Sequence, residues 1–243
     1  IVRMNGPQQQ ALRRAYAPPL SKRRLADQAH DLRRLCSEEV GSWPRDRLFD
    51  ATRPAMQITR KAAADLLFAS ENNQQALRVA ELLDRHSRLQ YSLKTSLFPV
   101  DVPGTPYHTL LRHAEATECA LIDWIRSQHS DSENLVGCIA HMQDVDGADI
   151  DLQGRAAQLW TLYGASFETT STALRWTLLH LAWNADAQER LSNEVSELGG
   201  ASPYLEAVVL ESLRMTPPVA YQLRRVAEPM DFEGYGLSKG DHV

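Results

Sequence analysis

The chain has 243 residues, 43% hydrophobic and 23% charged, which is enough apolar surface for a packed core and argues against wholesale disorder. Its 26 basic and 31 acidic side chains leave a formal charge of −5, the opposite of the basic excess of a general nucleic-acid binder. The longest apolar stretches, such as 176–183, are broken by Thr and His and fall far short of a bilayer span, and the 3 cysteines form no C-x-x-C pair for a zinc ribbon or disulfide framework. A reducing compartment is the default for such cysteine usage, and the expected location is cytoplasmic, with a membrane anchor in a preceding N-terminal part left open. Ile1 is not an initiator Met, the first residues are no signal peptide, and 240–243 reads as the inside of a strand. The sequence is therefore expected to be an internal segment of a longer protein, truncated at both ends.

Proline placement maps the elements, since no proline lies between Pro106 and Pro203 and long helices are allowed there. A short helix over 8–16 opens at Gly6-Pro7 and closes at Pro18-Pro19. Amphipathic helices are expected over 25–40, 56–68 and 75–90, the last with Leu77, Leu82, Leu83 and Leu89 near helical spacing. A loop over 96–106 follows, and then a helix over 107–128 with Leu110, Leu111, Ala114, Leu121 and Ile125 roughly on one side. Residues 144–151 form a polar turn that departs from a calcium loop: Gly147 sits at loop position four and Arg155 at position twelve. From 152 to about 183 the pattern is one helix, roughly 45 Å long at 1.5 Å per residue. Helices over 185–198 and 203–215 come next, and 219–227, 230–233 and 235–237 read as short strands and turns. The architecture is mainly α, with a small β portion near the C-terminal end.

Three groups of residues could carry chemistry. Ala165, Ser166, Phe167, Glu168, Thr169, Thr170 and Ser171 lie in the middle of the long helix, where Ser and Thr compete for backbone carbonyls. A carboxylate beside a hydroxyl in a locally opened helix can relay protons through water; a Ser/Thr face packed closely on a neighbour accounts for the same residues. Glu211 and Arg214 share a helix face at i, i+3; apolar Val208, Val209, Leu210 and Leu213 around them suggest at least partial burial, but taken alone the two charges read as an ordinary surface pair. The N-terminal segment holds Arg3, Arg13, Arg14, Lys22, Arg23, Arg24, Arg33 and Arg34 against Asp27 and Asp31, a patch suited to carboxylates, an acidic partner or plain solvation. The histidines offer no metal-ligand spacing: His108 and His113 are five apart and no H-E-x-x-H occurs.

Taken in order, these pieces resemble cytochrome P450, the haem-thiolate monooxygenase family. Residues 165–171 resemble its distal-helix signature A-G-x-[DE]-T-[TS]. Glu211-Ser212-Leu213-Arg214, followed by Pro217-Pro218, resembles its E-x-x-R helix. Residues 7–14 resemble the [HW]-x-x-x-R helix that meets the haem propionates, and 224–241 the strand region that follows E-x-x-R. The likeness covers the whole chain, read as a single partial P450 domain over 1–243. Ser166 stands where the family has Gly but stays small, and Gln9 stands where it has His or Trp and can still donate an amide hydrogen bond. No segment matches the family's haem-binding cysteine loop or the arginine-bearing segment that completes the E-x-x-R network, and no cysteine follows Cys138.

The resemblance implies a P450-like helical fold and haem b, its iron ligated by a cysteine outside residues 1–243 and by no residue within them. It further implies O2, a lipophilic small-molecule substrate, and electrons from NAD(P)H through a ferredoxin- or flavodoxin-type partner on the basic N-terminal face. By resemblance, Thr169 holds water and bound oxygen, and Glu168 feeds protons. Ala165 and Ser166 lie against the haem, Gln9, Arg13 and Arg224 bind its propionates, and Glu211 and Arg214 are scaffold. The loop at 98–107 resembles the family's variable pocket lid, and its Pro-Gly-Thr pattern is similar to branches acting on isoprenoid or sterol-like molecules. Two alternatives remain at this point: a non-catalytic scaffold or binding protein descended from the family, and an unrelated all-α binding domain.

Overall fold

The computed structural model describes residues 6–68, 73–128, 134–144, 146–200 and 202–243. Two compact units form, Ile1–Ser171 and Thr172–Val243.

The first unit is helical. Helix α1, Pro7–Tyr16, uses Pro at its first turn, where a missing N–H costs nothing. Helix α2, Lys22–Asp27, and α3, Ala29–Gly41, replace the single helix expected over 25–40, the interruption falling at Gln28. Helix α4, Thr52–Phe68, starts four residues earlier than expected: the Asp50 carboxylate accepts the Thr52 N–H at 2.8 Å, and Pro54 falls within the first turn, where it is tolerated. Helix α5, Asn73–Gln90, agrees with its leucine pattern. A five-residue helix α6, Leu93–Leu97, takes up the start of the expected loop. Thr105 then closes the loop and opens α7, Pro106–Arg126: its hydroxyl accepts the His108 N–H at 3.1 Å and lies 2.7 and 2.8 Å from the carbonyls of Val100 and Val102.

Helix α8, Leu135–Ala140, was not foreseen; six residues are too few to show a period, and only Cys138 among them is not fully buried. Asn134 caps it through the Gly137 N–H at 2.8 Å. The polar turn that follows spends the Asp144 carboxylate on the N–H groups of Asp146 and Ala148, both at 2.9 Å. Arg155 ties this turn to the end of α8, donating to the Ala140 and Met142 carbonyls and lying 3.5 Å from Asp149. Helix α9, Leu152–Trp183, carries the boundary between the units. Its first part supplies Ala156, Leu159, Tyr163 and Phe167 to the core of the first unit, which also takes Leu12 and Tyr16 from α1, Leu83 from α5, Trp124 from α7 and Ile139 from α8.

The second unit contains α10, Ala185–Leu198, and α11, Pro203–Met215. Gly199 ends α10 with a left-handed φ of 71°, a conformation that strains residues with a Cβ. Ser202 caps α11 by accepting the Leu205 N–H at 3.0 Å. The Arg190 guanidinium lies 4.0 Å from the Tyr204 ring centroid and the Glu194 carboxylate takes the Tyr204 N–H, joining the two helices. Strands β1, Met230–Phe232, and β2, Tyr235–Leu237, pair antiparallel. The strand expected over 219–227 reduces to a single bridge, Arg225 with His242.

Candidate functional site

The stretch 165–171 is unbroken helix, so the local opening contemplated from the sequence does not form. The hydroxyls turn back on their own helix: Ser166 donates to the Tyr163 carbonyl at 2.8 Å, Thr169 to Ala165 at 2.8 Å and Thr170 to Ser166 at 2.7 Å. Such back-bonding satisfies each hydroxyl without a neighbour and leaves it free to exchange partners when a ligand arrives. Ala165 and Thr169, one turn apart, lie on the helix face opposite the buried Tyr163 and Phe167; Ala165 is exposed and Thr169 partly so.

Glu168 takes another direction. Its half-buried carboxyl accepts a hydrogen bond from Ser87 of α5. Burial raises it above the usual carboxylate range, the Ser87 hydroxyl pulls it down, and the charge of Asp84 pushes it up. Among the described residues no hydrogen bond joins Glu168 to Thr169, so the structure places the acid and the alcohol side by side in sequence but on different faces. Asp84 is itself held by Arg88 at 2.7 Å and Arg60 at 3.4 Å. These three residues and Phe167 line a cleft of about 460 Å³ near the start of α4. Sequence reasoning missed Ser87 and Asp84, because neither belongs to a motif and their role appears only when α5 packs beside α9.

On α1, Leu12 and Tyr16 bury one face, while Gln9 and Arg13, also one turn apart, occupy the next. Arg13 is exposed and, among the described residues, pairs with no carboxylate. Of the rest of the basic patch, Arg14, Arg23 and Arg33 are exposed, and Arg34 lies 3.2 Å from Asp31; Arg3 lies outside the described residues.

In the second unit, Glu211 and Arg214 meet through two hydrogen bonds, Nε to Oε2 at 2.7 Å and Nη2 to Oε1 at 2.6 Å. The structure agrees with an ordinary surface pair and not with the partial burial suggested by the apolar neighbours: the Glu211 and Arg214 side chains are 55% and 71% exposed, Val209 and Leu210 are exposed too, and Ser212 alone of α11 is buried. The Arg214 guanidinium holds the Glu211 carboxyl below its usual range. Arg224 is fixed by its backbone, which exchanges hydrogen bonds with Val243 at 2.7 and 2.9 Å. Its exposed guanidinium donates to the Gln222 side chain and, at 3.2 Å, to the Leu223 carbonyl, with no carboxylate partner among the described residues.

Comparison with known proteins gives these residues their context. The family model for cytochrome P450 matches residues 108–243. Cyclooctatin synthase of Streptomyces melanosporofaciens is 26% identical over 250 aligned positions, which cover 95% of this chain and 54% of that protein. Psoralen synthase of Ammi majus is 34% identical over 140 residues, 52% of this chain and 28% of that protein. Among solved structures, the retinoic-acid-bound cyanobacterial CYP120A1 superposes with a TM-score of 0.80 at 22% identity, covering 98% of this chain and 56% of that one. The chain belongs to the cytochrome P450 family. It spans about half the length of the relatives that match it from end to end.

The residues present suit the family's haem. The face of α9 bearing Ala165 and Thr169 offers short side chains and no buried charge to a flat macrocycle. Arg13 and Arg224 each present an exposed guanidinium that no carboxylate in the described structure neutralises, as a propionate requires.

Proposed function

We propose that the full-length protein is a haem-dependent monooxygenase inserting one oxygen atom from O2 into a lipophilic small molecule. The observation that carries this reading is the adjacent Glu168 and Thr169 in the middle of α9, in a chain of this family whose Ala165 and Thr169 face stays open. Thiolate-ligated haem, when bound, supplies the oxygen-activating chemistry with two electrons from a redox partner. Thr169 exchanges its bond to the Ala165 carbonyl for a bond to water at the oxygen site, and Glu168 restores the proton that water gives up. Arg13 and Arg224 hold the propionates, with Gln9 donating an amide beside Arg13. Ala165 and Ser166 keep the approach to the macrocycle unobstructed, and the bidentate Glu211–Arg214 pair is scaffold.

The iron ligand in this reading is a cysteine outside 1–243. Cys36 and Cys138 are half-buried and Cys119 is exposed on α7; burial also pushes the Cys36 thiol up, against thiolate formation. Electrons come from NAD(P)H through a ferredoxin- or flavodoxin-type donor docking on exposed Arg14, Arg23 and Arg33. The cysteine usage supports a cytoplasmic location for this part of the protein. Among the described residues no helix is long and apolar enough to cross a membrane. An isoprenoid substrate agrees with the Pro-Gly-Thr loop and with the retinoic acid held by one structural neighbour.

Two measurements test the reading. Reduced full-length protein should show the red-shifted carbon-monoxide band of thiolate-ligated haem, and the 243-residue chain alone should not. In full-length protein, Thr169→Ala should lower product formed per O2 consumed by about tenfold or more while leaving O2 consumption in place. Unchanged coupling removes Thr169 from the relay, and a missing band in the full-length protein favours the non-catalytic scaffold.

A further inference from the structure

We propose that the cleft near the start of α4 binds a small soluble phosphate monoester, its phosphoryl group held by Arg53, Arg60 and Arg88. Two helix stripes build this cleft. Arg53, Gln57 and Arg60 follow one another at about one-turn spacing along α4, and Asp84 and Arg88 lie one turn apart on α5. Three guanidinium groups thus line a space of about 460 Å³.

Asp84 does not use up this charge. Its buried carboxylate meets Arg88 at 2.7 Å and Arg60 at 3.4 Å, each time through Oδ2 and a single guanidinium nitrogen. A guanidinium carries five N–H donors in a fixed fork, so Asp84 anchors both arginines and leaves most of their donors for a ligand. Arg53 is exposed and, among the described residues, pairs with no carboxylate. Asp50, the other carboxylate of the lining, accepts the Thr52 N–H at 2.8 Å. The lining therefore keeps a surplus of one positive charge in a chain of formal charge −5.

A phosphate monoester carries about −1.5 to −2 charges at neutral pH and presents three strong acceptor oxygens. That geometry suits donors arriving from two helices, whereas a planar carboxylate is satisfied by one arginine fork. The cleft also exceeds what a phosphoryl group fills; its volume lies in the range of small-molecule pockets, roughly 300–1,000 Å³. Met56 and Phe167 give it an apolar wall for the esterified part. Phe167 stands on the α9 face opposite Ala165 and Thr169, so this ligand is separate from the lipophilic substrate proposed above.

The test is calorimetric titration of full-length protein with phenyl phosphate, inorganic phosphate and benzoate. Phenyl phosphate should bind saturably and more tightly than inorganic phosphate, and benzoate should bind about tenfold or more weakly than phenyl phosphate. Arg53→Ala breaks no ion pair among the described residues and should weaken phenyl phosphate binding about tenfold, the loss of one charge-assisted contact. Arg88→Ala should weaken it as well, and Arg78→Ala, at an exposed position of α5 outside the cleft, should not. Absence of saturable binding, binding unmoved by Arg53→Ala, or an equal loss in Arg78→Ala overturns the proposal. Benzoate binding as tightly as phenyl phosphate overturns the phosphate class. Arg53-dependent binding to phosphatidic acid vesicles without binding of phenyl phosphate overturns the soluble ester in favour of a lipid headgroup.

Discussion

His86 of α5 sets its ring edge-on to Trp160, centroids 4.5 Å apart, in a buried position beside His113 of α7. Burial lowers its proton affinity, the His113 ring lowers it further, and a hydrogen bond with Gln90 partly offsets both. The folded chain thus favours the neutral ring, while the unfolded chain takes up a proton at the ordinary value of 6.5. Between 6.5 and the lowered folded value the unfolded state binds the extra proton. Stability is therefore full above this window and falls as pH drops through it, with a slope approaching about 1.4 kcal/mol per pH unit for one proton. Glu168 acts in the opposite sense: its raised carboxyl makes the fold bind the extra proton between the ordinary 4.5 and the higher folded value, so stability rises as pH falls through that range. Urea titrations across pH should show a shallower slope below pH 6.5 in His86→Gln and a smaller acid-side gain in Glu168→Gln. A slope below 6.5 identical in wild type and His86→Gln would place that proton elsewhere.

At the level of elements, Thr105 serves two of them, capping α7 and closing the 98–105 loop onto the Val100 and Val102 carbonyls. Thr105→Val keeps the shape and removes all three contacts. It should cost about 1–2 kcal/mol by chemical denaturation, the range of a lost cap and a loop hydrogen bond. No loss would mean that Pro106 alone fixes the start of α7. Helix ends punctuated by proline or glycine were legible in the sequence, α7 after the loop that ends at Pro106, α10 at the Gly199-Gly200 stop and α11 from Pro203, whereas the Thr105 and Ser202 caps emerge only in the structure. Where punctuation was missing, reading failed. Nothing in composition marks the interruption at Gln28, and α8 is too short for its buried Leu135, Val136 and Ile139 to reveal a period. The 219–227 segment has strand-forming residues but, among the described residues, pairs only over 224–226, where Arg224 and Val226 exchange backbone hydrogen bonds with 240–243 around the Arg225–His242 bridge. The candidate site divides in the same way: Glu168, Thr169 and the Glu211–Arg214 pair stand in contiguous motifs, whereas Ser87 and Asp84 act on Glu168 only through packing, which no local pattern encodes.

On the scale of the molecule, the two units differ in what holds them. The first has a continuous core from α1, α4, α5, α7, α8 and the first part of α9. In the second, among the described residues, Val226 is the one fully buried apolar side chain, while Trp176, Trp183, Leu210 and Met215 remain exposed. Its internal ties are polar or aromatic: His180 to the Thr216 hydroxyl at 3.0 Å, Arg190 over Tyr204, and the Glu211–Arg214 pair. Such contacts contribute little where water competes for them, and a segment of this size needs buried apolar area to offset the entropy of ordering its backbone. Residues 172–243 produced alone should accordingly show partial helicity and a broad, non-cooperative thermal transition. Residues 6–171 should melt cooperatively, because they bury Trp124, Tyr163, Leu159 and Ile139 among themselves. Circular dichroism and calorimetry on the two segments decide the matter. A sharp calorimetric transition for 172–243 would show that its aromatic and charged ties suffice without a core, and would reverse the order of stability assigned to the two units.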